Sequence, residues 1–208
     1  MYLPRAFAED DLDRLDALIA RDPFVTLVTV DAGGAAQVSH LPVLYARDGD
    51  SIVVEGHWAR PNPQARHVGD ALAIVHGPHA YVSPSAYPDK EAAARVPTWN
   101  YAVAHLHGTL EVFDDTAALG DLVQRLSVHF ETSVGRDWRF EPGREDHARQ
   151  LRGIIGFRLR VTRAVLKFKL SQNHPAANQQ AVAADLAARD EPGANAIAAL
   201  MRESMQQS

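Results

Sequence analysis

The chain has 208 residues, 46% of them hydrophobic and 23% charged, with a formal net charge of −5 and no cysteine. That balance fits an ordinary globular protein with one sizeable core. It excludes disulfides, thiolate metal centres and a cysteine nucleophile, and it argues against broad non-specific nucleic-acid binding, which needs a basic surface.

Met1–Phe7 is followed by Glu9, Asp10 and Asp11 before an apolar run of signal-peptide length can form, and no stretch is long and apolar enough to span a membrane, so a cytoplasmic address is expected. Leu12, Leu15, Leu18 and Ile19 recur at helical spacing behind two capping aspartates and predict a short opening helix ended by Pro23. Residues 23–30 are β-branched and aromatic, a strand; Asp31-Ala32-Gly33-Gly34 is a turn; strands over 35–45 and 51–58 complete an antiparallel meander. Pro61 and Pro63 predict a turn and a short helix, and 71–76 reads as a further strand. The segment 77–88 has too many prolines for a central strand, although 79–83 can pair. A long strand is expected over 96–113, with Pro97 at its start and Gly108 inviting a bulge. Leu119, Leu122, Val123, Leu126 and Phe130 mark an amphipathic helix capped by Asp114-Asp115-Thr116, and a second helix covers 145–151. Strand character returns over 154–169, and alanine-rich helices at 179–189 and 195–205 close the chain. About six strands joined mostly by hairpins, with helices inserted late, predict a mainly β, α+β fold built on an antiparallel barrel.

Three stretches carry chemistry. In Lys167–Pro175, strand alternation sends Lys167, Lys169, Ser171 and Asn173 to one face and Phe168 and Leu170 to the other. Two cations on one face repel unless an anion lies between them, so the row reads as an anion site or as an edge strand guarded by lysines. Around 56–63, His57, Arg60 and Asn62 end a strand together and form either a phosphate corner or a solvent-facing turn. In Val96–Tyr101, Trp99 and Tyr101 face one way and Thr98 and Asn100 the other, which suits a flat heteroaromatic ring or an aromatic core strand. His105 and His107 share a strand face, but no His-Glu-x-x-His helix or cysteine cluster exists, and no metal is expected. The arginines between Arg136 and Arg152 are interleaved with Glu141, Glu145 and Asp146 and read as a solvated, ion-paired surface.

Taken together, Met1–Phe7, His40-Leu41-Pro42, Gly56-His57 with Ala59-Arg60 and Asn62-Pro63, Gly77–Ser85, Val96–Tyr101 and Lys167–Asn173 resemble the PaiB-type FMN-binding proteins, known as negative transcriptional regulators. The resemblance implies an FMN-binding split β-barrel that forms a homodimer, with the cofactor near the subunit interface. It implies a barrel domain over 1–173 with inserted helices, and 174–208 is then a C-terminal helical extension. The cofactor-binding residues expected on this basis are His40, His57, Arg60, Asn62, Tyr81, Ser83, Trp99, Asn100, Lys167, Lys169, Ser171, Gln172 and Asn173. Ala65 and Ala86 stand where the family pattern has tryptophans, and Pro61 where it has a small residue. Split barrels also resemble flavin reductases, pyridoxamine-phosphate oxidases and haem-handling proteins, so an FMN-dependent oxidoreductase and a haem protein are the alternative functions. His40, His57 and Tyr81 are available as proton carriers. Any DNA binding is expected to be weak or indirect.

Overall fold

The computed structural model describes residues 1–207. Eight strands, β1 (Ala8–Glu9), β2 (Phe24–Val30), β3 (Ala36–Pro42), β4 (Leu44–Asp48), β5 (Ser51–Ala59), β6 (Gly69–Val82), β7 (Thr98–Phe113) and β8 (Ile154–Lys169), alternate with five helices. The helices are α1 (Leu12–Arg21), α2 (Thr116–Ser133), α3 (Glu145–Gln150), α4 (Ala176–Ala187) and α5 (Pro192–Gln207). The strands form one antiparallel sheet in the order β3-β2-β6-β7-β8-β5-β4, and β1 pairs with the end of β8. This is the mainly β, antiparallel architecture with flanking helices that the hairpin-rich pattern predicts, in the split-barrel form that the family resemblance implies.

Two corrections to the expected strands have physical causes. The strand expected over 35–45 breaks at Val43, which is buried and donates its N–H to the Pro23 carbonyl at 3.0 Å. Its first half, β3, pairs with β2 and its second half, β4, with β5, so the meander is divided. The proline-rich stretch from Gly77 is not excluded from a central strand either: β6 runs through Pro78 to Val82. β2 pairs with β6 only over Ala71–Ile74, so Pro78 stands beyond that ladder, where a missing N–H removes none of its bonds.

The chain divides into two compact units whose bounds fall within α1 and the three long strands. One unit comprises residues 19–75 and 105–164. In it, β2 buries Val25 and Leu27 and β5 buries Ile52, Val54 and Trp58 by strict alternation, with Trp58 against Phe157 at 4.6 Å between ring centroids. Asp115 caps α2 by accepting the Ala118 N–H at 2.8 Å, and α2 sets Leu119 against Phe140 and Leu151. Glu55 on β5 receives both Arg158 and Arg125, at 2.7 and 2.8 Å, which fastens α2 over this face. The other unit comprises residues 1–18, 76–104 and the chain from 165 onward. Here α4 and α5 bury Val182, Leu186, Ile197 and Met201, so the C-terminal helices share a unit with the ends of β6, β7 and β8.

Gly108 serves close approach: a Cβ there would run into the Arg160 backbone carbonyl on β8. Gly108→Ala is therefore expected to lower the unfolding free energy by about 2 kcal/mol, the usual range for overpacking against an unyielding neighbour. Gly143, whose added Cβ meets nothing within 4 Å, is the control and should tolerate alanine. Urea denaturation of both variants checks this, and equal stability would contradict the close-approach account.

Candidate functional site

The alternation that places Lys167 and Lys169 on one face ends with the strand. β8 stops at Lys169, and Ser171 adopts φ +66°, a left-handed conformation uncommon for a side-chain-bearing residue. The chain turns there, with the His174 N–H donated to the Ser171 carbonyl at 3.0 Å. The polar row of 167, 169, 171 and 173 is thus not continuous. Instead the turn closes a cavity of about 270 Å³ with Lys169, Ser171, Asn173 and His174 on one side. Tyr87, Arg95, Thr98 and Asn100 supply the rest of its polar lining.

Lys169 is the cavity's main charge. Its Nζ donates to Thr98 Oγ1 at 2.5 Å and to the Trp99 carbonyl at 2.7 Å, both neutral oxygens. Two of its three hydrogens are engaged, and one is left. Burial, reinforced by the like charge of Lys167, holds its ammonium below the ordinary lysine range. The Lys167 ammonium turns elsewhere: it donates to the Tyr2 carbonyl at 3.2 Å and lies 5.2 Å from the Tyr101 ring. Asn100, fully buried, shares hydrogen bonds with the Ser171 hydroxyl at 3.0 and 3.2 Å and reaches Met201 Sδ on α5 at 3.4 Å. Gln172 folds back on its own strand, accepting the Leu170 N–H and donating to the Phe168 carbonyl, and so closes the end of β8. Ser83 caps the short turn after β6 through the Ser85 N–H. Trp99 is exposed and meets Tyr81 edge-on at 5.9 Å and His79 at 6.0 Å, an aromatic surface on β6 and β7.

Of the expected residues, the fold brings Asn100, Lys169, Ser171 and Asn173 together at this cavity. It adds Tyr87, Arg95 and His174, which sequence reasoning missed. The tetrad Tyr87, Asp89, Arg95 and His174 had only its polarity as a signal, because the segment 83–97 has no period to set a face. Asp89 clasps Arg95 through Nε at 2.9 Å and through Nη2, and the Tyr87 hydroxyl lies beside Ser171 with its phenol raised by burial.

His40, His57, Arg60 and Asn62 belong to the other unit and are mostly engaged in building it. Arg60 donates to the carbonyls of Arg152 and Ile154, at 2.8 and 3.0 Å, and pairs with Asp114 at 3.3 Å. Asn62 caps the turn at 63–66 through the Gln64 N–H and donates to Ser39 Oγ at 3.0 Å. Gln64 is buried and its Nε2 reaches the carbonyls of Leu27 and Gln37, at 3.1 and 3.0 Å, pinning that turn to the β2–β3 hairpin. His40 bonds Thr26 Oγ1 at 3.0 Å, and burial pushes the His57 imidazole down. The rings of His105 and His107 lie 6.2 Å apart, and among the described residues no three His, Asp or Glu side chains are grouped to hold a metal. No described helix is long and apolar enough to cross a membrane.

Residues 1–163 match the family described as "Putative FMN-binding domain". The chain is 29% identical to the protease synthase and sporulation protein PAI 2 of Bacillus subtilis, over 99% of this chain and 98% of that protein. It is 30% identical to an uncharacterized protein of Aspergillus fumigatus over 88% and 89%. Among solved structures, the FAD and heme binding protein of Mycobacterium smegmatis superposes with a TM-score of 0.54 at 19% identity, covering 83% of this chain and 78% of that one. The flavocytochrome Anf3 of Azotobacter vinelandii also gives 0.54, at 18% identity, over 80% and 72%. At those identities the structures share the fold.

The Arg95 hydrogen bonds draw the Asp89 carboxyl down from 3.8 to about 2. A depressed carboxylate contributes stability that is complete above its ordinary range and is lost as pH falls through its folded value. An NMR titration of the Asp89 side chain should therefore show a midpoint near 2, returning toward 3.8 in Arg95→Met. A normal midpoint in the parent protein would contradict the clasp.

Proposed function

The chain belongs to the PaiB-type family of FMN-binding domains, and from that premise we propose that it binds FMN as a split-barrel homodimer and acts as a negative transcriptional regulator. The observation that carries the FMN reading is the Lys169 cavity. Its lining holds an ammonium with an unengaged hydrogen and the side chains of Asn173 and His174, a donor set that suits an acceptor-rich, anionic ligand. A cavity of about 270 Å³ takes a phosphate group or one edge of a flavin ring, since sites for whole ligands of this size begin near ~300 Å³ and run to roughly 1,000 Å³. Lys169 and Asn173 would hold that part, with the Ser171–Asn100 pair fixing the turn that carries them, and FMN when bound supplies a redox-active ring and a phosphate dianion.

The remainder of the cofactor needs further cover, and the exposed Trp99, Tyr81 and His79 offer aromatic surface for it. Exposed aromatics grouped in this way also favour a second copy of the chain, in keeping with the closed symmetry of most homo-oligomers. His40, His57, Arg60, Asn62, Ser83 and Gln172 support the FMN reading by building the scaffold, and Lys167 by raising the local positive potential. With a net charge of −5, action on a promoter is weak or indirect, through a partner or a ligand-dependent assembly.

Titration of flavin fluorescence tests the site. Lys169→Ala should weaken FMN binding about ten- to a hundredfold, the loss expected for one partly shielded charge-assisted hydrogen bond, while Lys167→Met changes it little. Riboflavin, which lacks the phosphate, separates the two poses: a loss confined to FMN places the phosphate at Lys169, and a loss for both places a ring edge there. A folded Lys169→Ala variant that binds FMN like the parent would refute the site. Light scattering at micromolar concentration should return twice the 22.8 kDa chain mass, and a monomer would refute the homodimer.

A further inference from the structure

The Lys169 cavity contains a histidine whose protonation the fold dictates. A guanidinium offers hydrogens and no lone pair, and Arg95 Nη1 lies 3.0 Å from His174 Nδ1. Nδ1 is therefore the acceptor, the ring is neutral, and its one proton sits on Nε2. Arg95 is held to this task by Asp89, whose Oδ1 also receives Asn178 Nδ2 at 2.8 Å. His174 is fixed as well: its N–H goes to the Ser171 carbonyl, its carbonyl accepts Gln179 Nε2 at 2.8 Å, and its ring packs on Tyr87 at 5.0 Å. Burial, with the charge of Arg95 and more weakly that of Lys169, pushes the imidazole below its ordinary range, and Asp89 opposes this.

We propose that His174 is a specificity-determining residue of the cavity, a neutral imidazole locked in the Nε2–H form that donates to an acceptor oxygen or nitrogen of FMN held beside Lys169. Asp89 and Arg95 are its positioning residues. The inference rests on the FMN reading above and adds to it the reason for the Asp89–Arg95–His174 chain. The Asp89 charge orients a guanidinium, the guanidinium chooses a tautomer, and the tautomer gives the cavity a second donor without a second unit of charge. A ligand then has to present acceptors to both groups, which a phosphate or the carbonyl edge of a flavin does and a cationic or donor-edged molecule does not.

The test uses the full chain. Long-range nitrogen NMR on labelled protein at neutral pH reads the His174 tautomer, and flavin fluorescence reads FMN and riboflavin affinity for the parent, His174→Phe, His174→Gln and Arg95→Met. The parent should show an unprotonated Nδ1 and a protonated Nε2. His174→Phe should lose about tenfold in FMN affinity, and His174→Gln, whose amide nitrogen stands near the Nε2 position, should recover most of it. Arg95→Met should give mixed tautomers. If His174→Phe fails to fold, His174→Asn, which does not reach the Nε2 position, takes its place. The riboflavin arm assigns the acceptor to the phosphate when only FMN is affected and to the ring when both are. A proton on Nδ1 in the parent, unchanged tautomers in Arg95→Met, a folded His174→Phe with parental affinity, or no recovery with Gln would each overturn the proposal. A parent that binds no FMN overturns the flavin reading and this inference together, whereas parental binding with an unaffected Phe variant overturns this inference alone.

Discussion

An ammonium drawn partly out of water must find hydrogen-bond acceptors or lose its charge, and Lys169 finds neutral ones. Thr98 and the Trp99 carbonyl sit at the start of β7, so the same contact that satisfies the charge ties the start of β7 to the end of β8. With no carboxylate in its hydrogen-bond set, the charge stays available to a ligand. Asn100, one residue further along β7, then secures the turn by binding Ser171, whose left-handed backbone directs the chain toward α4. The cavity follows from that turn. A strand continuing straight through 171 and 173 would carry a flat polar face and enclose nothing.

The two units divide structural labour differently. Around Gln64 the polar groups are engaged in the fold: Asn62 and the buried Gln64 bond the Ser39 hydroxyl and the Leu27 and Gln37 carbonyls of the β2–β3 hairpin, and Arg60, at the surface, bonds the carbonyls of Arg152 and Ile154. Around Lys169 polar groups line open space. Arg60 also lines a cavity of about 270 Å³, but its guanidinium is taken up by the Arg152 and Ile154 carbonyls and by Asp114, and Glu145 adds a second carboxylate to that lining; the site is therefore proposed at Lys169, whose partners are neutral oxygens.

Much of the fold was legible because its elements follow strong local rules. The bounds of β8 and the Asp115 cap of α2 follow from alternation and capping chemistry alone. The division of β3 from β4 was hidden because Val43 looks like any strand residue, and only its bond to Pro23 shows the change of partner. Pro78 misled for the opposite reason: proline lowers strand expectation everywhere, but its effect depends on whether a neighbouring strand is still present. At the site, residue types were readable and directions were not. Lys167 and Lys169 look equivalent, yet one ammonium is sequestered by Tyr2 and the other opens onto the cavity. Arg95 and His174 are 79 positions apart, and no local pattern pairs them.

The central claim is that a flavin nucleotide is held where Lys169 faces the cavity. The most direct measurement is a crystal structure of the protein grown with FMN. The account predicts a phosphate oxygen or a ring carbonyl within hydrogen-bond distance, about 3 Å, of Lys169 Nζ, with Lys169 still bonded to Thr98. FMN bound wholly at the Arg60 corner, with the Lys169 cavity holding only water, would contradict it.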